Sequence, residues 1–201
     1  MREKMRDPAR IQLMGRPKTY DRDEVLEKAL QLFWRKGFEG AHLQELVEVT
    51  GLNRFSLYKE FGSKEGLFDA AMARYMEQLG ELGAILEREP FGVANIRDYF
   101  EALVDYPFRH GCFLVNTLSE KHVVGPGIYG KVRTFVKDGG KLFERNLEAA
   151  AARGELRGDT DVADLARFLV VQELGMLTHG ILESRKKERR RAVAFLDRVL
   201  G

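Results

Sequence analysis

Apolar positions recur every three or four residues along most of this chain of 201 residues, and that spacing predicts helices almost throughout. Val25, Leu26, Ala29, Leu30, Phe33 and Trp34 form a broad stripe behind Asp21, with Glu24 three positions later as in a capping box. Gly37 ends this first helix at about Lys36. A shorter helix built on Leu43, Leu46 and Val47 stops at Gly51, and Asn53 sits where the next helix, Arg54 to roughly Phe61, needs its N-cap. Phe61-Gly62-Ser63-Lys64 reads as a turn with a Ser cap. It opens a helix from Lys64 to about Leu86 that buries Leu67, Phe68, Ala71, Met72, Tyr75, Met76 and Leu79. Pro90 to Gly92 breaks the chain, and a helix from Val93 to Asp105 follows, ending before Pro107.

The second half is less regular. Phe113 to Glu120 has the Phe, Leu, Val and Thr content of a strand, but no partner strand is evident, so a short helix is expected. Gly125-Pro126-Gly127 reads as a break. From Gly130 to Arg153, the positions Val132, Phe135, Val136, Gly139, Phe143, Leu147 and Ala150 mark a long helix. Gly139 and Gly140 inside it each cost about 1 kcal/mol against alanine, so either two helices approach closely there or the helix bends. Thr160 or Asp159 caps a helix lasting to about Leu182 that is apolar around most of its circumference and so needs two protein neighbours. One is its own core and the other a second subunit, with Leu169, Glu173 and Leu177 at the contact. Phe195 and Val199 of the last helix, roughly Glu188 to Leu200, complete a four-helix bundle with the symmetry mate. The fold class is all-α: an arm over 1–20, a three-helix unit with a helix-turn-helix over 21–64, and a larger helical unit over 65–201.

Charge refines this division. Residues 1 to 22 hold seven Lys or Arg against three acids, residues 1 to 64 thirteen against ten, and the remainder twenty against twenty-one. A positive end on a neutral body fits attraction to phosphates at that end, although a charged tail is equally compatible with a solvated arm. RKKERRR at 185–191 is read as a solvated helix start in preference to a nucleic-acid contact. A single cysteine, Cys112, leaves no intrachain disulfide. No secretory h-region and no apolar stretch of membrane-spanning length is present, so a cytoplasmic protein without membrane association is expected. Four scattered histidines form no recognisable metal-ligand spacing, and no cofactor is expected.

Two short helices joined at Gly51 are the arrangement that presents a second helix to a DNA major groove. From Gly15-Arg16-Pro17-Lys18 through VLEKALQLFWRKGFEG and LQELVEVTGLNRFSLYKEFGSKEGLF to about Tyr75, the sequence resembles the TetR-type bacterial transcriptional regulators. His110-Gly111-Cys112-Phe113-Leu114-Val115-Asn116-Thr117 is similar to a segment in a subset of that family. The resemblance implies a homodimeric, ligand-responsive regulator, most often a repressor, that binds palindromic double-stranded operator DNA and releases it on binding a small molecule. It implies that Asn53 caps the recognition helix and that Arg54, Phe55, Ser56 and Lys59 face the groove. Tyr58 would contact the backbone, Lys64 a phosphate, and Arg16 and Lys18 an adjacent phosphate or minor-groove edge. Ala41 stands where the family commonly has Thr, and His42 is the candidate replacement for that contact. Phe55 occupies a place often held by a small residue, and Glu60 would put negative charge near DNA, where it can accept from a cytosine amino group.

The effector expected is small and mostly apolar or aromatic. Its candidate lining is Tyr99, Phe100, Phe108, Cys112, Phe113 and Phe135, with Asn116, Glu120 and His179 as polar points. Cys112 reads either as a redox or electrophile sensor or, in preference, as a buried inert thiol. The rival functions are a helical protein-interaction module without DNA binding and a small helical enzyme. The enzyme would need a nucleophile and base gathered with an orienting third group, and His110 with Cys112 lacks the third.

Overall fold

The computed structural model describes residues 20–106, 110–120, 122, 124–179 and 186–200, without the side chains of 179 and 197. These residues form nine α-helices and a 3-10 turn, with no strand among them: α1 Arg22–Gly40, α2 Leu43–Thr50, α3 Arg54–Phe61, α4 Lys64–Gly83, the turn Ala84–Glu87, α5 Val93–Val104, α6 Phe113–Ser119, α7 Gly125–Ala152, α8 Val162–His179 and α9 Lys186–Leu200. Each of the first four begins where a side chain or turn can satisfy orphan backbone donors. Asp21 accepts from the N–H of Asp23 at 2.8 Å, Asn53 from that of Ser56 at 2.9 Å, and Ser63 from that of Gly66 at 3.2 Å. The His42 N–H at the start of α2 donates to Glu45 at 3.3 Å. Gly51 closes α2 at φ 73°, a left-handed conformation in which a Cβ is strained.

An aromatic knot joins α1 to α4. The rings of Phe33 and Phe38 meet Phe68 edge-on at 4.9 and 5.2 Å, and Trp34 meets Tyr75 at 5.0 Å. Phe113 of α6 enters the same knot, 5.4 Å from Phe68 and 5.6 Å from Tyr75, and the Trp34 indole donates to the Gly111 carbonyl at 3.1 Å. The core is therefore continuous from the three N-terminal helices into the larger unit.

Two expected boundaries move and a third holds. The segment Gly125-Pro126-Gly127 does not interrupt the chain but opens α7, because a proline in the first turn forfeits only an N–H that would have no intrahelical partner. Helix α8 starts later than Thr160, and its first-turn cap is Asp161, which accepts from the Asp164 N–H at 2.9 Å. The first helix does break at Gly37 as expected, where φ is 72° and the backbone is non-helical, and one further helical stretch carries α1 on to Gly40. The double glycine of α7 resolves toward close approach: a Cβ on Gly140 would lie 3.4 Å from Val170 of α8, while α7 runs unbroken.

One buried polar side chain organises the corner between α4 and α5. Asn146 donates to the carbonyls of Leu86 at 2.7 Å and Leu142 at 2.8 Å, and accepts from the Gly92 N–H and the Asn95 amide at 3.0 Å each. The basic run at the start of α9 lies along α5. Lys186 pairs with Asp105 at 2.7 Å, Arg190 with Glu101 at 3.7 Å, and the Arg189 guanidinium caps the Val104 carbonyl at 2.8 Å. Those cations complement the C-terminal end of α5, as the helix dipole favours.

Candidate nucleic-acid interface and ligand cavity

Helix α3 buries Leu57 fully, half-buries Ser56, Tyr58, Glu60 and Phe61, and turns Arg54, Phe55 and Lys59 outward. Its cap, Asn53, is exposed as well. Phe55 is 75% exposed, the largest exposure of any bulky apolar side chain described. A phenyl ring so placed costs solvation in the free protein and gains only when a partner covers it. The Arg54 guanidinium sits 5.4 Å from the Tyr58 ring, which holds it along the outer face. Arg54 and Lys59 leave the surface positive. Glu60, expected near DNA, is turned back toward α1: it accepts from the Tyr20 hydroxyl at 2.7 Å and pairs with Arg22 at 3.3 Å. Its negative charge is thereby compensated at the edge of the face.

The other expected contacts are distributed around α3. His42 is exposed at the start of α2, whereas Ala41 beside it is fully buried and fills a core position. Lys64 lies 4.7 Å from the Phe38 ring and donates to the Glu39 carbonyl at 3.4 Å, which holds its ammonium beside the α1–α2 corner at the head of α4. Arg16 and Lys18 fall outside the described residues.

The candidates for ligand lining separate into three groups. Tyr99 and Phe135 border a cavity of about 340 Å³ between α4, α5, α7 and α8, together with Leu79, Leu86, Leu142, Phe143 and the carboxylates Glu87, Asp138 and Glu173. Phe100, Cys112 and Phe113 are fully buried in the core and do not reach that cavity. Asn116 donates to the His110 carbonyl at 3.0 Å. Glu120 accepts from the Phe38 N–H at 2.8 Å, and a Cβ at Gly37 would overlap its carboxylate, so Glu120 fastens α6 to the break in α1. Asn116 and Glu120 instead line a second hollow of about 360 Å³ between α1 and α6, which Phe113 also borders. Phe108 and the His179 side chain lie outside what is described.

Cys112 accepts from the Tyr75 hydroxyl at 3.7 Å, and burial pushes its thiol above the ordinary range. Burial opposes thiolate formation in this conformation, and the Tyr75 hydrogen bond offsets that only in part.

The residues expected at a subunit contact are also redistributed. Leu169 and Leu177 are buried within the protomer's own core. Glu173 turns inward and accepts a hydrogen bond from Tyr99. The apolar side chains left outside on α8 and α9 are Phe168, Val171 and Phe195, with Val199 half-buried. The period of α8 could have shown this, since Leu165, Leu169 and Leu177 share one stripe and Phe168 and Val171 another. No signal in the sequence marked Glu87, Asp138 or Phe143 as neighbours of Tyr99, because they come from separate elements.

No group of three metal-ligating side chains occurs among the described residues, and no described helix is long and apolar enough to cross a membrane. Residues 25–71 match the family of bacterial regulatory proteins, tetR family, and residues 93–196 match the tetracyclin repressor-like C-terminal domain. The chain is 37% identical over 168 residues to the HTH-type transcriptional repressor ComR of Escherichia coli K12, covering 77% of each protein. It is 36% identical to the HTH-type transcriptional regulator YezE of Bacillus subtilis 168, covering 81% of this chain and 87% of that one. A solved structure of the TetR family regulator CifR with a 26 bp double-strand operator DNA superposes with a TM-score of 0.76. It is 29% identical and covers 92% of this chain and 98% of that one. On these matches, spanning both the α3 region and the helices that form the cavity, the chain belongs to the TetR family of bacterial regulatory proteins.

Proposed function

We propose that the protein is a cytoplasmic, ligand-responsive transcriptional repressor, not an enzyme. It binds a partly palindromic operator as a homodimer and releases it when a small molecule occupies the cavity between α4, α5, α7 and α8. The observation that carries this reading is the outward face of α3. Arg54, Phe55 and Lys59 stand exposed on a capped helix held by α1, α2 and α4. Such a face offers cations for phosphates and base edges and a ring for a thymine methyl. The operator-bound CifR structure and the repressor ComR support it. The dimer face is proposed on α8 and α9 around Phe168, Val171 and Phe195, whose exposure a second copy would relieve. The α4 helix links the two ends, since Lys64 touches the α1–α2 corner while Leu79, Gly80 and Gly83 line the cavity.

Selection of bound fragments from a genomic pool, followed by titration of the recovered site, tests the proposal. Arg54→Ala combined with Lys59→Ala should weaken binding by about 2 kcal/mol for each side chain truncated and flatten its salt dependence. Failure to recover any site, or parent-like binding by the double variant, would reject the docking.

A further inference from the structure

The cavity between α4, α5, α7 and α8 has a charge pattern that its apolar walls do not account for. Leu79, Leu86, Leu142, Phe135 and Phe143 supply hydrocarbon and ring surface. The ionisable groups around it are Tyr99 and the carboxylates Glu87, Asp138 and Glu173, and no Lys, Arg or His is among the described residues lining it. Glu87 and Asp138 are exposed, and Asp138 already pairs with Lys141 at 2.7 Å, so these two mark the rim. Glu173 is the inner one. One of its oxygens accepts from the Tyr99 hydroxyl, and no basic side chain among the described residues pairs with it.

A carboxylate in an apolar recess is costly until a positive group neutralises it. An anion entering here would meet three acids, and a neutral hydrocarbon would desolvate Glu173 further. A cation is attracted by the same acids and offsets the desolvation of Glu173 with its own charge, which also gains from the faces of nearby rings. We propose that this cavity takes an organic cation with an aromatic or branched apolar body, its positive centre against the Glu173 carboxylate and its body among Tyr99, Phe135 and Phe143. A space of 340 Å³ is near the small end of ligand pockets, which run from roughly 300 to 1,000 Å³, so a single-ring amine or quaternary ammonium suits it. Burial raises the Glu173 pKa, and a cation bound against it opposes that shift by favouring the ionised carboxylate. This inference rests on the cavity being the effector site and specifies the ligand's charge.

The probes are benzyltrimethylammonium, the uncharged benzyldimethylcarbinol of similar shape, and phenylacetate, titrated by calorimetry into the full chain without DNA. The cation is expected to bind about tenfold or more tighter than the carbinol, with phenylacetate weakest. Glu173→Gln should abolish that preference, whereas Tyr99→Phe, which leaves the carboxylate without its donor, should keep or increase it. If Glu173→Gln fails to fold by circular dichroism, Tyr99→Phe decides, and a lost preference there overturns the proposal. So does equal binding of cation and carbinol, no binding of any probe up to millimolar concentration, or a retained preference in folded Glu173→Gln. Release of a selected operator is measured separately by fluorescence anisotropy. Cation binding without release would sink the effector reading and leave the cavity assignment standing. Release by a neutral compound, with no cation binding, would do the reverse.

Discussion

Helix α3 and the α4–α5–α7–α8 cavity both offer unsatisfied surface, and they are built in opposite ways. The α3 face is contiguous: eight residues between the caps Asn53 and Gly62 present cations and an exposed phenyl ring outward. The cavity is assembled from residues as far apart as Leu79 and Glu173, encloses rings and carries negative charge. A local motif can hold an exposed face because caps and one buried leucine suffice to orient it. An enclosed space needs several long helices held apart at fixed spacing, and a polar device to hold them. The first surface suits a polyanion and the second a small cation, so one chain separates its partners by charge as well as by place.

The cavity is most vulnerable at Asn146. Its amide joins the Leu86 and Leu142 carbonyls, and both of those residues line the cavity. Asn146→Ala leaves the Gly92 N–H and the Leu86 carbonyl buried without this partner, at about 1–3 kcal/mol for each group. A loss of about 3 kcal/mol in urea unfolding is expected, with probe binding weakened. A loss under about 1 kcal/mol would mean that the cavity is not maintained by this corner.

That polar device also shows where the sequence stops being legible. Caps, turns and stripes within a few residues of one another are readable: Asp21, Asn53, Ser63 and Gly51 stand at the ends their types favour. The outward set on α3 follows from the same local spacing. The apolar circumference of α8 suggests Glu173 at the subunit face, yet its spacing of four from Leu169 and Leu177 sets it on their inward stripe, where it meets Tyr99, 74 positions away. Asn146 sits among Phe143, Leu147 and Ala150 on a buried stripe, and a lone amide there is the sequence signal that should have flagged it. The Gly37–Glu120 contact has no such signal, since a glycine needed for close approach looks the same as one that ends a helix.

Gly51→Ala tests how far the turn before α3 fixes that helix. Gly51 has φ 73°, and an added Cβ would meet no atom within 4 Å, so the cost comes from backbone conformation alone. A destabilisation of about 1 kcal/mol is expected, read as a lower urea midpoint with an unchanged slope. Parent-like stability would mean that the α2–α3 turn can adopt another geometry, and the presentation of α3 would then not be fixed by it.

The smallest expected effect tests the cavity through pH. Burial raises the Glu173 pKa in the folded protein, opposed in part by the Tyr99 hydrogen bond. The folded state therefore binds this proton more tightly than the unfolded chain does. Stability falls as pH rises from the ordinary value of 4.5 through the folded value, and above that it stays at the lower level. Tyr99, itself pushed well above its ordinary range, keeps its proton throughout, while Glu87, Asp138 and Lys141 are common to parent and variant. Glu173→Gln removes only the titrating group, so the stability difference should shift in the variant's favour as pH is raised from 4.5 to neutrality. Urea midpoints measured across that range check it, and a difference that does not change with pH would place Glu173 in water. Saturating benzyltrimethylammonium sharpens the result further: a cation favours the ionised carboxylate, lowers its folded pKa, and should erase the fall seen in the free parent.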